Sequence, residues 1–123
     1  GARAALARQA DAQTLSTAQQ RRLLDYIESN LDQSLSLADL ATVAKISVSH
    51  LKALFPRSIG LSVHQYVIRR RVERARRLII ANDLPMSQIA LEAGFAHQSH
   101  MAMCMKRILG VTPRAIERLR AGG

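Results

Sequence analysis

MSQIALEAGFAHQSHMAMCMKRILGVT, from Met86 to Thr112, decides the fold, because a near-copy precedes it: LADLATVAKISVSHLKALFPRSIGLS, from Leu37 to Ser62. Leu37, Leu40, Ala41 and Ala44 fall at i, i+3, i+4 and i+7, the spacing of one helix face, and Met86, Ile89, Ala90 and Ala93 repeat it at an offset of 49. Ala93-Gly94-Phe95 stands where Ala44-Lys45-Ile46 stood, and Gly94 suits a turn that needs positive φ. Beyond that turn the offset is 50: Leu51 matches Met101, Phe55 matches Met105, and Gly60 matches Gly110. A repeat with its single insertion in a turn means two copies of one motif. Each copy is two short helices joined by about three residues, with alanines at the crossing, the pattern of a helix-turn-helix.

Between the copies runs SVHQYVIRRRVERARRLIIA, Ser62 to Ala81, with six arginines and neither glycine nor proline. At about 1.5 Å per residue it makes a helix roughly 30 Å long, near the spacing of successive major-groove faces on one side of a duplex. It reads as a spacer between two reading units. Val67, Ile68, Val72, Ala75, Leu78 and Ile79 form its apolar arc, and Arg71 falls inside that arc. A cation there needs a partner. Asp39 is the first expectation for a structural pair and Glu92 the second. Arg69, Arg70, Arg76 and Arg77 lie opposite, as electrostatic attraction for phosphates or as a solvated face.

Ser16 or Thr17 caps a first helix with Leu23, Leu24, Ile27 and Leu31 on one face, and the pattern breaks over 30–34. Thr112-Pro113 opens a last helix, 114–120, that turns Ile116 and Leu119 inward. The expected organisation is a linker or frayed segment over 1–15 and a DNA-binding domain over 16–123. Within it lie a first helix-turn-helix at 36–58, the linker helix at 62–81 and a second helix-turn-helix at 85–109.

A formal charge of +9 on 123 residues favours a polyanion, nucleic acid before an acidic membrane surface. Aromatics at 3% and few glycines and prolines favour helix. No apolar run approaches the roughly 18 residues of a membrane span. Cys104 is the only cysteine, which excludes an internal disulfide and suits a reducing cytosol. His97, His100 and Cys104 sit at i, i+3 and i+7, but three ligands on one helix without a fourth are thin support for metal. Helix entry, groove margin and core packing account for them one by one. No catalytic triad pattern and no phosphate-binding glycine loop is present, so no enzymatic role and no cofactor is expected.

The run from Ala90 to Met101, continuing from Lys106 to Pro113, resembles the signature of AraC/XylS-type bacterial transcription regulators. Leu40-Ala41, Ser47, Leu51, Phe55, Gly60 and Arg71 to Ala75 fit the upstream half, so the likeness covers about 16–120. It implies an all-α fold of seven helices, two homeodomain-like helix-turn-helix subdomains joined by the long helix. It also implies recognition helices in adjacent major-groove segments of double-stranded DNA, action beside RNA polymerase in the bacterial cytoplasm, and a separate effector-sensing or dimerisation domain. That the chain opens on Gly1 rather than methionine agrees with such a missing domain.

Projection at about 100° per residue gives the groove-facing candidates. In the first unit these are Ser49, Lys52, Ala53 and Pro56, with His50 and Arg57 at the edges and Ser47 at the helix entry. In the second they are Ser99, Ala102, Met103 and Lys106, with His100 and Arg107 at the margin and His97 and Gln98 at the entry. The family often has arginine where Ala53 and Met103 stand, and lysine where Pro56 stands. Pro56 is therefore expected to kink or shorten the first recognition helix. Base reading falls to Lys52, Gln98, Ser99 and His100, or to apolar contact of Ala53, Ala102 or Met103 with thymine methyls. The alternatives are a basic helical interaction module and a DNA binder that reads mainly shape and phosphates.

Overall fold

All but one of the described helices start where a side-chain acceptor meets an orphan backbone N–H. The computed structural model describes residues 13–81 and 83–122, and every regular element among them is an α-helix. Ser16 begins α1 (Thr17–Ser29): its hydroxyl accepts the Gln19 N–H while the Gln19 side chain accepts the Ser16 N–H, a capping box. Ser36 caps α2 (Leu37–Ala44) through the Asp39 N–H, and Ser47 caps α3 (Val48–Ile59) through the His50 N–H. Ser62 and Gln65 form a second capping box at the head of α4 (Val63–Ala81). Helix α5 (Met86–Ala93) follows Pro85 without a side-chain cap. Helix α6 (Gln98–Leu109) is capped by His97, and Thr112 caps α7 (Pro113–Gly122) with proline at its first position.

The chain divides into two compact units, the first ending at Tyr66 and the second starting at Val67, with the Leu31–Ser34 segment belonging to the second. In the first unit α1 packs on α2 and α2 on α3. Its buried residues include Leu23, Ile27, Leu40, Ala44, Leu51 and Phe55, all fully enclosed. Gln19 Nε2 donates to the Ala44 carbonyl at 3.0 Å and satisfies the C-terminus of α2. Phe55 meets Tyr66 edge-on, ring centres 5.7 Å apart. Residues 1–12 of the expected linker, together with Asn82 and Gly123, lie outside the described residues. At the linker's end Leu15 is already packed: it is buried, and its N–H donates to Ser58 Oγ at 2.7 Å.

The second unit gathers Ile68, Val72, Ala75 and Ile79 of α4 against Ile89, Ala90 and Ala93 of α5 and Met101, Cys104 and Met105 of α6. Phe95 and Ile116 complete this core. Ala90 and Ala93 are fully buried, the smallest side chains that α5 brings into this core. Arg71 does turn inward, yet the carboxylate pair expected for it gives way to main-chain partners. Its Nε donates to the Leu31 carbonyl at 3.0 Å and its terminal nitrogen to the Gln33 carbonyl at 2.8 Å. Asp39 is exposed, while Glu92 gives its carbonyl to Arg74 and a carboxylate oxygen to Gln88. The physical reason is the end of α1, whose following carbonyls lack intrahelical donors and are met by the guanidinium fork.

Three further expectations change. Pro56 does not shorten α3, which runs on to Ile59 with the Gly60 N–H donating to the Pro56 carbonyl at 2.8 Å. Proline lies near the C-terminal end, where it removes one N–H and the remaining bonds carry the last turn. Leu31 lies past the end of α1 rather than on its face. Leu119 is 74% exposed. Ile116 closes the core one turn earlier, leaving Leu119 on an open groove of about 510 Å³ with Ile80 and Leu109. No described helix is long and apolar enough to cross a membrane.

Candidate nucleic-acid interface

The turn between α2 and α3 and the turn between α5 and α6 are built by the same bonds. Lys45 at φ 59° donates to the Thr42 carbonyl, and the Ile46 N–H returns to Ala41 at 3.0 Å. Gly94 at φ 101° donates to Leu91, and the Phe95 N–H returns to Ala90 at 2.8 Å. Both are left-handed helix ends that satisfy orphan carbonyls. Lys45 tolerates that conformation, whereas a Cβ on Gly94 would lie 2.0 Å from the Leu31 carbonyl oxygen and 2.6 Å from Arg71 Nε. The inserted residue, Ala96, lengthens the second turn and lets His97 take the capping place of Ser47.

In the first unit Ser49, His50, Lys52, Ala53 and Arg57 are all exposed on α3, opposite buried Leu51, Leu54 and Phe55. Ser47 is committed to its cap. In the second unit Gln98, Ser99, Met103, Lys106 and Arg107 are exposed on α6, and His100 and Ala102 are half-buried. On α3 the outward-projected residues are all exposed, whereas on α6 outward-projected Ala102 and inward-projected Ile108 are both half-buried. The shared stripe is Ser49, Lys52-Ala53 and Pro56 on α3, and Ser99, Ala102-Met103 and Lys106 on α6.

The start of α6 is tied together. His97 Nδ1 lies 2.8 Å from Ser99 Oγ and 3.3 Å from the His100 N–H. A tautomer with its hydrogen on Nε2 meets both contacts, with the hydroxyl donating. His100 stacks edge-on against Phe95 at 5.5 Å, which holds its ring at the margin of the face. Lys106 Nζ donates to the Gly110 carbonyl at 3.0 Å, beside the C-terminus of the helix. A cleft of about 350 Å³ runs from Gln98, Ser99 and Ala102 to Thr112 and Arg114. Arg114 is a cation that helical projection missed, since it belongs to the next helix and no periodicity links it to α6.

The arginines of α4 divide by their bonds. Arg76 is held by both oxygens of Glu73, at 2.6 and 3.0 Å, which keeps the Glu73 carboxyl below its usual range and raises the Arg76 guanidinium. Arg74 donates to the Glu92 carbonyl at 2.9 Å. Burial pushes Arg71 below its ordinary value, though an arginine stays charged. Cys104 is enclosed in the core, and burial pushes its thiol up. No three histidine, cysteine or acidic side chains among the described residues come together as metal ligands.

Two helix pairs, each with a left-handed turn and each presenting the outer face of its capped second helix, define a duplicated helix-turn-helix DNA-binding module. Comparison with known proteins agrees. A helix-turn-helix domain family matches residues 40–118. The probable transcriptional regulator LumQ of Photobacterium leiognathi is 38% identical over 89 residues, covering 72% of this chain and 36% of LumQ. Among solved structures, an AraC-type regulator from Chromobacterium violaceum superposes with a TM-score of 0.78 at 27% identity, covering 85% of this chain and 93% of that one. The DNA-binding domain of AdpA, solved in complex with a target DNA, gives 0.73 at 25% identity, with 81% and 87% covered. The chain belongs to the AraC-type helix-turn-helix family and is a DNA-binding domain of the transcription regulators in that family. It spans about a third of the length of the curated relatives it matches first.

Proposed function

We propose that the chain binds double-stranded DNA sequence-specifically, with α3 and α6 as recognition helices in adjacent major-groove segments. The helix-turn-helix units lie at 36–58 and 85–109, within a domain over 16–123, with the helix at 62–81 as linker. The observation that carries this is the recurrence in both units of a left-handed turn, a side-chain cap on the second helix and an outward stripe, at an offset of 49 to 50 residues. Ser49, His50, Lys52, Ala53 and Arg57 are the proposed contacts of the first unit. Gln98, Ser99, His100, Ala102, Met103, Lys106 and Arg107 are those of the second. Ser47 and His97 set the helix entries. Phosphate contacts from helix N-termini and arginines dock the protein, and the outward faces read bases.

In this reading the whole protein works in the bacterial nucleoid beside RNA polymerase, with an effector-sensing or dimerisation domain as a further partner. The greater length of the relatives supports the further domain.

In-vitro selection of duplexes, followed by titration of the selected and a scrambled duplex at two salt concentrations, tests the reading. The expected result is a site of two short elements, preferred on the order of a thousandfold. Equal affinity for both duplexes with one steep salt slope supports a reader of shape and phosphates instead. Absence of binding to either supports an interaction module.

A further inference from the structure

The outer faces of α3 and α6 occupy matching places but differ in chemistry at their centres. On α3 the central pair is Lys52-Ala53, a cation beside a methyl group. On α6 it is Ala102-Met103, and Met103 is 64% exposed, the most exposed large apolar side chain of that helix. Burying an unbranched thioether was open to this helix, as Met101 and Met105 show on its inner face. Met103 instead stands in water at the middle of a polar stripe. Two of its polar neighbours hold bonds of their own, Ser99 with His97 and Lys106 with the Gly110 carbonyl, while exposed Arg107 lies at the margin of the face. What the centre of this face offers a base edge is therefore apolar.

A duplex presents one apolar group in the major groove, the C5 methyl of thymine. The other base edges there show hydrogen-bond donors and acceptors, which a methionine cannot satisfy and would desolvate. We propose that Met103, with Ala102 beside it, is a specificity-determining residue that selects thymine through its methyl group in the element read by α6. The proposal rests on the DNA-reading function above. It makes the two half-elements chemically unlike, since Lys52 offers the α3 element a donor for guanine acceptors.

The test is a scan of the selected duplex in which each thymine in turn becomes deoxyuridine, which removes the methyl and keeps every hydrogen-bonding group. For the unchanged protein, at least one such replacement is expected to weaken binding about fourfold, the equivalent of one methyl group left uncovered. Met103→Ala should bind the thymine and deoxyuridine forms equally at that position, while Met103→Leu should keep the difference. Because Met103 is exposed, both variants retain the core, and matching melting temperatures establish this. Methyl-independent binding at every thymine, or the same fourfold loss in Met103→Ala, overturns the proposal while leaving sequence-specific binding intact. Loss of all preference for the selected over the scrambled duplex overturns the DNA-reading function and this proposal together.

Discussion

The guanidinium of Arg71 donates to the main-chain carbonyl of Leu31 at 3.0 Å, with the Gln33 carbonyl taking a second bond at 2.8 Å. This explains a cation in the apolar arc of α4: the side chain completes the hydrogen bonding of a backbone segment that leaves α1. Charged hydrogen bonds of this kind are worth about 1.5–3 kcal/mol when enclosed, and half-burial puts the pair toward the lower end. Arg71→Ala is expected to destabilise the domain by about 1.5 kcal/mol, and Arg71→Lys to recover only part, because an ammonium lacks the fork that spans two carbonyls. Thermal melting measures both. An unchanged melting temperature with weaker DNA binding would sink the structural role.

The same carbonyl fixes the requirement at Gly94, where an added Cβ would lie 2.0 Å from the Leu31 oxygen and φ is already 101°. Gly94→Ala is expected to cost at least about 2 kcal/mol, from backbone strain and displacement of the Leu31–Arg71 bond. The equivalent Lys45, at φ 59°, gives the opposite sign. Lys45→Gly relieves left-handed strain and should be neutral or stabilising by up to about 1 kcal/mol, the added unfolded-state entropy taking back part of the gain. Chemical denaturation of the pair of variants settles it. Equal effects at the two positions would show that the carbonyl contact is not what makes Gly94 necessary.

These two residues also show how far the sequence could be read. The helix order, the capping serines and the inner rows of α3 and α6 follow from local pattern: polar caps, 3.6-residue periodicity and a repeat that checks itself. Arg71 was recognisable as anomalous, since a charge in an apolar arc is visible in projection. Its partner was not, because a search among acidic side chains passes over main-chain carbonyls, which every residue carries and no sequence distinguishes. Gly94 was legible as a turn residue, but not as a contact, because the Leu31 oxygen comes from a segment more than sixty residues away. Leu119 failed for a related reason: periodicity marks which face a residue shares with Ile116, not where the core stops. At the interface, α6 alone predicts its outward stripe, whereas Arg114 enters from the next helix.

Glu73 and Arg76 give a pH signature. The carboxyl is held below its ordinary value first by the hydrogen bond from Arg76. A depressed carboxyl contributes stability that is present above the unfolded-state value, about 4.3, and is lost as pH falls through the lower folded value. The melting temperature of Glu73→Gln should therefore lie below that of the unchanged protein at neutral pH, and the two should converge in acid. The gap is expected to be small, because the side chains are 33% and 39% exposed, and to shrink with added salt. A gap that stays constant down to pH 2 would show that Glu73 acts through packing rather than charge.

His97 holds the first turn of the helix proposed to read the second element. Its Nδ1 accepts the His100 N–H at the place where Ser47 Oγ accepts the His50 N–H in the first unit. A capping oxygen or nitrogen lost to alanine costs about 1 kcal/mol, and serine is among the preferred caps. His97→Ala is thus expected to lower stability by about that amount, and His97→Ser to restore it by copying the first unit. Ser99 separates capping from reading. Either variant releases its hydroxyl from Nδ1, so a shared change in DNA affinity reports on Ser99, whereas a change in His97→Ala alone reports on the order of the helix start. Melting curves and binding titrations on the same samples distinguish these outcomes, and His97→Ala as stable as the unchanged protein would remove the cap from the account of this helix.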